Sequence, residues 1–397
     1  LTNEISYGRS SVSALTRAYD HLGRPAGLSL GPDYAIEYGY DEYGRFNNVS
    51  SFASLAVQYS YLPGTDLLSG YTAGDFTRTV AYEPYRSLIT SVENKHGNTT
   101  ISRYDYENDA LGRRTAIARS GTAFGDTPIR DTYGYNHRSE VTSARRTLAG
   151  NPSQEIRGFA YDYEYDPIGN RISSTEYDHE NNPLLTSYTT NALNQYEQRT
   201  VPGYAGVRGF ATNTATVTVN GNPTWRLDDY DYFYGGDDAD NSTTAIMKEL
   251  AIIAAHSNQY AAATGHVFVA HTPEEFTYDD DGNLIQDGRW QYTWNGENRL
   301  IKAIELIAPT NRQPYEVNYA YDHRGRMVWK TIAPSTAPPI KTIAYTWDDY
   351  NIIAEVESRE SGVTTIYNLW GLDLSVSPQG AGGVGGLLAV YSPLPLG

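Results

Sequence analysis

The sequence contains no cysteine, which excludes disulfide bonds, thiolate metal sites, iron–sulfur clusters and cysteine nucleophiles. Positive charge is also scarce, with 30 basic residues against 47 acidic ones and a formal net charge of −17. Such a chain repels a polyanion such as a nucleic-acid backbone. No stretch approaches the roughly 18 unbroken apolar residues that a membrane-spanning helix needs. We therefore expect neither nucleic acid as a partner nor insertion into a membrane.

Motifs for catalysis and cofactor binding are lacking as well. The sequence has no HExxH or GxSxG motif, and its eight histidines are scattered. Residues 380–385 fit the letters GxGxxG, but no acidic residue follows about 20 positions later, as a dinucleotide site requires. A glycosidase-like carboxylate pair arises easily by chance among 47 acidic residues, and most aspartates stand in predicted turns. We predict no catalytic residue, no metal and no cofactor, and hence not an enzyme.

Two acidic runs leave calcium binding as a minor alternative. Residues 279–283 resemble the start of a calcium loop, but Trp290 stands where that loop has a bidentate glutamate. A repeat turn explains this run better. The second run contains Asp237, Asp238 and Asp240.

Tyrosine and glycine are abundant, with 35 and 36 residues. Tyrosine favours strands and glycine favours turns, whereas neither is a strong helix former. The composition is therefore typical of β-structure.

A six-residue motif recurs along the chain: an aromatic residue, Asp or Asn, two variable positions, Gly, and Arg or Asn. Its Asp can accept a backbone N–H two or three residues later, and its Gly can take a positive φ without steric strain. Together these residues predict a type I turn with a bulge at the tip of a hairpin. The clear copies are Tyr19 with Asp20 and Gly23, Tyr40 with Asp41 and Gly44, Tyr165 with Asp166 and Gly169, Tyr278 with Asp279 and Gly282, and Tyr321 with Asp322 and Gly325.

Looser copies fill some of the gaps between these tips. They start at Tyr106, with a two-residue insertion before Gly112, at Tyr135, with Ser139 in place of glycine, and at Trp294 and Trp347, with tryptophan in the aromatic position.

The segments on both sides of the tips alternate between apolar and polar residues, as in 315–321 and 282–287. Period two on both sides of a turn predicts paired antiparallel strands. Alternate tyrosines would share one face and stack across strands or on arginines of the next repeat, adding about 0.2–1 kcal/mol per pair. A single hairpin buries too little apolar surface to be stable, so we expect neighbouring repeats to stack into a continuous sheet.

These motifs resemble the YD-repeat, or Rhs (rearrangement hotspot), proteins of bacteria, whose relatives include toxin-complex shell components and the animal teneurins. The resemblance covers most of the chain. It implies an all-β fold in which antiparallel hairpin repeats form a continuous spiralling sheet, as a shell, a tube or an open strip. Residues 367–375 and 379–390 are similar to the stretch that leads into the family's core segment, which is absent here. We expect the chain to be a segment of a longer protein.

Four segments follow from these patterns. Residues 1–200 are predicted to be YD-repeat sheet, 201–271 an inserted β-rich module, 272–370 the continued repeat sheet, and 371–397 a Gly/Pro-rich segment leading toward the absent core. In the module, residues 235–241 are expected to be an acidic loop. Residues 245–255 have apolar side chains at helical spacing, although the resemblance implies β-structure there, and both assignments stay open. Residues 51–82 are expected to continue the sheet with longer loops.

The recurrent residues are turn formers and stacking groups, not reactive ones. We therefore expect a non-enzymatic scaffold that forms a shell or an extracellular assembly, enclosing or displaying a toxin or effector. Its partners would be a second copy, through sheet edges, or an enclosed toxin polypeptide. The resemblance implies a bacterial protein that is secreted or on the cell surface, with no export signal in this segment. The alternative is an adhesion or carbohydrate-binding module that recognises a glycan through residues 201–271.

Overall fold

The computed structural model describes residues 3–6, 13–125 and 127–392. For residues 3–6 and 13 only the backbone is described. The described part of the chain contains 36 strands and one short 3-10 helix, which confirms the predicted all-β fold. Residues 393–397 of the predicted C-terminal segment lie outside the described residues, as do most of the opening residues in which no export signal was found. Among the described residues, no helix reaches the length and hydropathy that crossing a membrane requires.

The strands follow one another through short connections. Up to residue 199 they are β1 (Asn3–Ser6), β2 (Ser13–Tyr19), β3 (Pro25–Leu30), β4 (Tyr34–Tyr40), β5 (Phe46–Ser51), β6 (Ala56–Tyr61), β7 (Leu68–Ala73), β8 (Phe76–Tyr82), β9 (Ile89–His96), β10 (Thr99–Asn108), β11 (Arg114–Ser120), β12 (Ile129–Tyr135), β13 (Val141–Leu148), β14 (Asn151–Glu155), β15 (Tyr161–Tyr165), β16 (Arg171–Tyr177), β17 (Pro183–Thr190) and β18 (Tyr196–Arg199), with the 3-10 helix at Thr122–Phe124. The following strands are β19 (Tyr204–Phe210), β20 (Thr216–Val219), β21 (Asn222–Pro223), β22 (Trp225–Arg226), β23 (Tyr232–Asp238), β24 (Ile246–His256) and β25 (Gln259–Val269). The remaining strands are β26 (Glu274–Glu275), β27 (Thr277–Tyr278), β28 (Leu284–Gln286), β29 (Trp290–Trp294), β30 (Leu300–Glu305), β31 (Tyr315–Tyr321), β32 (Met327–Pro334), β33 (Lys341–Asp348), β34 (Asn351–Arg359), β35 (Gly362–Trp370) and β36 (Leu387–Tyr391).

The chain forms two compact units. The first unit combines residues 1–101 with 316–397, and the second unit comprises residues 102–315. In both, sequential strands pair antiparallel as hairpins, as the alternating pattern predicts. Strands β6 to β8 continue the sheet through residues 51–82, which confirms that expectation.

The core of the first unit joins its two chain segments. Leu30, Tyr34 and Val49 are fully buried against Ile353 and Ala354. Burying a side chain of this size stabilises the fold by about 1.5–3 kcal/mol. The packing of β2 to β6 on β34 and β35 is therefore what makes these two segments, far apart in sequence, one unit.

Hydrogen bonds fix the register of that packing. The Tyr34 hydroxyl donates to the backbone oxygen of Asn368 at 3.0 Å, and its ring stacks on Tyr367 with centroids 5.7 Å apart. The Tyr59 hydroxyl accepts from the backbone N–H of Leu372 at 3.1 Å. Because these tyrosine hydroxyls are buried, leaving either without its partner would destabilise the unit.

The inserted module lies in the second unit and contains two small sheets. One has the strand order β19, β23, β22 and the other has the order β21, β20, β24, β25. Strand β18 pairs directly with β26, so the repeat sheet resumes beside the point where the module leaves it. Residues 215–220 and 265–269 of the module contain β20 and the end of β25.

The structure decides one open assignment in the module and corrects one expectation. Residues 246–256 are strand β24, so the β-structure implied by the resemblance holds. Ile246 and Leu250 fit both periods, whereas Ile253 fits the helical one and Ile252 fits period two; pairing with β20 and β25 on both sides decides for the strand. The expected acidic loop at 235–241 is wrong in its first part, because residues 235–238 belong to β23, where they pair with β19.

Candidate functional site: the hairpin tips

The recurring motif folds as a five-residue hairpin tip in all its clear copies. At one tip the Gly169 N–H donates to the Asp166 backbone oxygen at 3.2 Å, and the Asp166 N–H donates to the Asn170 oxygen at 2.9 Å. The Asp166 carboxylate accepts the N–H groups of Ile168 and Asn170 at 2.9 and 2.8 Å. Gly169 has φ of 96°, and the strand register shifts just before Tyr165. These are the turn and the bulge that the motif predicts.

All five clear motif copies lie at such tips. The backbone N–H of the third and fifth tip residues donates to the side chain of the first in each, at Asp20, Asp41, Asp166, Asp279 and Asp322. Their glycines all have positive φ, at Gly23, Gly44, Gly169, Gly282 and Gly325. The aromatic residues Tyr19, Tyr40, Tyr165, Tyr278 and Tyr321 each end the strand that enters the tip.

Five further tips have the same geometry, and sequence reasoning placed only some of them correctly. They begin at Asp109, Asn136, Asp178, Asn191 and Asn295. The two-residue insertion expected after Tyr106 does not exist, because Asp109 is the aspartate of that tip and Asn108 takes the aromatic position.

The tips that sequence reasoning missed start at Asp178 and Asn191. Their fourth residues are Asn181 and Asn194, with φ of 75° and 62°. Asparagine tolerates the left-handed region better than other residues with a side chain, so it replaces glycine there. A search that allowed Asn at the fourth position would have found the Asp178 tip. The Asn191 tip also has Thr190 in the aromatic position and Gln195 in the last position, so it departs from the motif at three places.

The first and fifth residues of a tip are chemically matched. Aspartates are paired with fifth residues that donate, such as Arg24, whose Nε lies 2.7 Å from Asp20. Asn191 donates instead to the Gln195 side-chain oxygen at 2.8 Å. Asn295 is an exception, because the fifth residue of its tip, Arg299, pairs with Glu297 at 3.0 Å.

These hydrogen bonds lower the pKa of the tip carboxylates. At Asp279 the bond from the Asn283 side chain outweighs burial and holds the pKa below its usual range. At Asp20, Asp41, Asp109, Asp166 and Asp322 burial raises the pKa, but the hydrogen bonds from the turn are together stronger and lower it. These six carboxylates are thus held ionised by the turn itself.

Side chains also connect several tips to a neighbouring one. In the second unit these bonds run from Arg113 to the Asn136 oxygen (3.1 Å), Arg138 to the Asp166 oxygen (2.6 Å), Asn170 to Asn194 (3.2 Å), Gln195 to the Gly282 oxygen (3.2 Å) and Asn283 to Asn298 (2.9 Å). Six tips of the second unit, which begin at residues 109, 136, 166, 191, 279 and 295, are therefore linked from one tip to the next by hydrogen bonds. In the first unit Arg45 of one tip donates to the Thr65 oxygen in the β6–β7 connection at 2.7 Å.

The aromatic residue at the start of a motif provides a second connection between repeats. The Tyr40 hydroxyl donates to the Pro25 oxygen at 2.8 Å, just after the preceding tip, and Tyr165 donates in the same way to Val141 at 2.9 Å. The Arg24 guanidinium stacks on the Tyr40 ring at 3.9 Å. This confirms the predicted stacking of tyrosines on arginines between repeats.

The Trp347–Asp348 copy departs from the motif. Asp348 pairs with Asn351 across a two-residue turn, and its carboxylate forms an ion pair with Arg17 at 2.7 Å. Burial raises the pKa of Asp348, although Arg17 opposes the shift. Both residues line a cleft of about 380 Å³ within the first unit, together with Trp370.

The glycine-rich segment folds around its own carboxylate. Asp373 is buried and accepts the N–H groups of Ala381 and Gly383 at 2.6 and 3.1 Å, as well as the Ser375 hydroxyl at 2.6 Å. A nucleotide loop would offer such N–H groups to a phosphate. Here the side chain of Asp373 already occupies them.

The acidic runs considered for calcium are engaged within the protein. Asp279 belongs to a tip, Asp237 pairs with Lys248 at 2.7 Å, and Asp240 accepts the Ser242 hydroxyl at 2.6 Å. Across residues 3–6, 13–125 and 127–392, no three metal-ligating side chains of the His, Cys, Asp and Glu types come together.

Glu305 is the most buried acid of the repeat region. Its carboxylate contacts Arg289 at 2.8 Å and Arg312 at 2.6 Å, and it accepts the Tyr315 N–H at 3.1 Å. Burial raises its pKa, but the hydrogen bonds from both arginines are stronger and lower the pKa to about 2. The sequence gives no local signal for this cluster, because its members come from separate elements.

Comparison with known proteins finds short or distant similarity. No family model matches the chain. It is 28% identical over 94 residues to the tRNA nuclease WapA of Bacillus subtilis, which is 24% of this chain and 4% of that protein. The tRNA3(Ser)-specific nuclease WapA of Bacillus spizizenii matches with the same identity and shares. The matched stretch thus spans about 4% of the length of these curated relatives.

Among solved structures, the chain is similar to the crystal structure of TcdB2-TccC3 without its hypervariable C-terminal region. The TM-score is 0.34 at 12% identity, covering 91% of this chain and 21% of that one. The TcdB2-TccC3-Cdc42 structure has a TM-score of 0.27 at 11% identity, covering 94% of this chain and 25% of that one.

Proposed function

We propose that the chain is a non-enzymatic structural scaffold whose hairpin repeats build part of a shell or an extracellular assembly. The observation that carries the proposal is the use of the recurrent residues. At each motif tip the acid or amide holds its own turn, and side chains such as Arg113 reach the next tip. Residues whose side chains are hydrogen-bonded within and between tips stabilise a sheet and are not available as acids, bases or nucleophiles.

The partner proposed for this scaffold is an enclosed or displayed toxin polypeptide, outside the bacterial cell. The resemblance of the motifs to the YD-repeat family supports this role. The nuclease activity in the name of WapA belongs to a protein of which the matched stretch is 4%, so it is not part of the proposal.

Electron microscopy of the purified chain, combined with mass spectrometry of copurifying polypeptides, tests the scaffold role. We expect a particle of uniform outline built from curved sheet, and a copurifying polypeptide that resists protease until the particle is opened. Turnover of an RNA or glycan substrate by the purified chain, without any bound polypeptide, would contradict the proposal.

A ligand-binding module is the second candidate, because the inserted module forms an aromatic cleft with the repeat sheet. The cleft has a volume of about 490 Å³ and is lined by Phe159, Phe210 and Tyr232 with Arg119 and Arg146. Phe210 is 77% exposed at the cleft. Exposed rings of this kind can stack on a sugar. Specific glycan-array binding that Phe210→Ala abolishes would favour this role, and an array without binding would favour the scaffold.

A further inference from the structure

Strand β25 is the edge strand of a sheet in the inserted module. It pairs with β24 over its full length of 11 residues, without a register shift. No strand pairs with its other side among the described residues. Residues 259–264 are exposed.

The backbone groups that point outward from this edge follow from the pairing of β24. The Ala251 N–H donates to the Asn220 side chain at 2.7 Å, and the Ala251 oxygen accepts the Asn220 N–H at 2.9 Å. The backbone N–H and C=O groups of odd-numbered β24 residues are therefore directed toward β20. Those of even-numbered residues are directed toward β25, where Ile252 is opposite Ala263. The backbone N–H and C=O groups directed away from the sheet are therefore those of Tyr260, Ala262 and Thr264.

The edge lacks the features that normally keep such strands apart. Natural proteins protect edges with charged side chains, proline or bulges. Residues 257–265 contain no charged residue and no proline. Three consecutive alanines, 261–263, leave room for a close neighbour, and Tyr260 is 76% exposed. An unprotected edge of this length is a template for one more strand.

We propose that β25 pairs antiparallel with β25 of a second copy of this chain, around a two-fold axis at Ala262. This register makes Ala262 face its own counterpart and places Tyr260 opposite Thr264 of the second copy. Aromatic residues and β-branched residues are favourable cross-strand partners. It also brings the outward groups of all three residues into hydrogen-bonded pairs, so the strand is complementary to itself.

The charge of the protein sets the conditions for this pairing. Each copy carries −17 overall, whereas the edge itself is uncharged. Long-range repulsion between copies is screened by salt, so dimerisation should strengthen as salt rises. A single strand pair is a small interface, which corresponds to a dissociation constant of about 10 μM to 1 mM. The inference concerns the inserted module and stands whether or not the repeat sheet is a scaffold.

Sedimentation velocity over micromolar to submillimolar concentrations is the first test. We expect a monomer–dimer equilibrium that Ala262→Lys weakens by about tenfold or more, because two ammonium groups would meet across the axis. The control is Ala255→Lys on the neighbouring strand β24. Ala255 is exposed but not at the edge, and we expect this variant to dimerise as the unchanged chain does. Circular dichroism verifies that both variants fold.

Cysteine cross-linking is the second test and does not depend on a charged variant. The chain has no cysteine, so Ala262→Cys adds a single thiol at the axis. Directly paired residues have Cα atoms about 5.5 Å apart, within the range of a disulfide. We expect oxidation to give a covalent dimer with Ala262→Cys and not with Ala255→Cys. A monomer at all concentrations, a dimer unaffected by Ala262→Lys, or equal cross-linking of both cysteine variants would overturn the proposal.

Discussion

The hairpins of the repeat sheet and the β24–β25 hairpin of the inserted module differ in how they turn. A repeat hairpin turns through five residues with a bulge, and its side chains bind its own turn and a neighbouring tip. The β24–β25 hairpin turns through Ser257 and Asn258 alone, and its 11 strand pairs contain no bulge. The repeat hairpins are thus built to be joined on both sides, whereas the module hairpin is joined on one. Tip side chains link a repeat hairpin to a neighbouring tip, whereas β25 has no strand on its outer side among the described residues.

The comparison implies that acids of the repeat region contribute strongly to stability, and Glu305 should show the largest effect. We expect Glu305→Gln to lower the free energy of unfolding by about 1.5–3 kcal/mol, because the neutral amide loses charge-assisted hydrogen bonds to two half-buried arginines. Glu297→Gln, at a solvent-exposed ion pair, is the control and should change it by about 0–1 kcal/mol. Equilibrium urea unfolding measures both. Equal effects of the two substitutions would contradict the conclusion that the buried Glu305 contributes more to stability than an exposed acid.

The pH dependence of this effect follows from the lowered pKa of Glu305. Its folded-state pKa is about 2, against an ordinary value of 4.5. Its contribution to stability is therefore fully present above the unfolded pKa and is lost as pH falls from about 4.5 toward 2. We expect the stability difference between the unchanged chain and Glu305→Gln to shrink over this range. Urea unfolding at a series of pH values measures it, and a difference that does not change with pH would contradict the pKa assignment.

The glycine of a tip gives a sharper test of the turn itself. Gly169 has φ of 96°, a conformation that is strained for alanine. We expect Gly169→Ala to reduce the free energy of unfolding by about 1–2 kcal/mol. Gly169→Asn should cost less, because Asn181 and Asn194 already occupy this position in other tips. If thermal unfolding ranks the asparagine variant below the alanine variant, the left-handed requirement is refuted.

The tyrosine connection between repeats should have the smallest effect. Tyr165→Phe removes only the hydrogen bond to the Val141 oxygen, so we expect a loss of about 0.5–1.5 kcal/mol. Tyr260→Phe in the exposed strand β25 is the matched control, and there we expect no loss in the monomer. Chemical denaturation at low protein concentration separates the two. Identical stabilities for both variants would remove the distinction between joined and free hairpins.

Local features of the fold were predictable from the sequence, and nonlocal ones were not. The tips at Asp20 and Asp322 follow from turn chemistry contained in six residues, which acts wherever the motif occurs. The same physics explains the miss at Asp178, since Asn181 takes the left-handed position that was assigned to glycine. Strand β24 stayed ambiguous because its apolar spacing fits two periods, and only pairing with its neighbours resolves it.

The contacts between distant parts of the chain could not be predicted from the sequence pattern. The Tyr34 hydroxyl reaches Asn368 across 334 positions, and Arg17 reaches Asp348 across 331. In the sequence, Tyr34 and Arg17 look like the other tyrosines and arginines of the repeats, so nothing marks them as partners of distant residues. Such pairs depend on how whole sheets pack, which short-range propensities do not determine.

The most direct measurement of the central claim compares two substitutions at one tip aspartate. Asn136 and Asn191 hold their tips without a carboxylate, so Asp166→Asn should keep the free energy of unfolding near that of the unchanged chain. Asp166→Ala removes the acceptor for three hydrogen bonds and should lower it clearly below the value of the asparagine variant. This order, measured by urea unfolding at neutral pH, is what a purely architectural aspartate predicts. Equal stability of the alanine variant and the unchanged chain would show that the tip residue does not hold the turn.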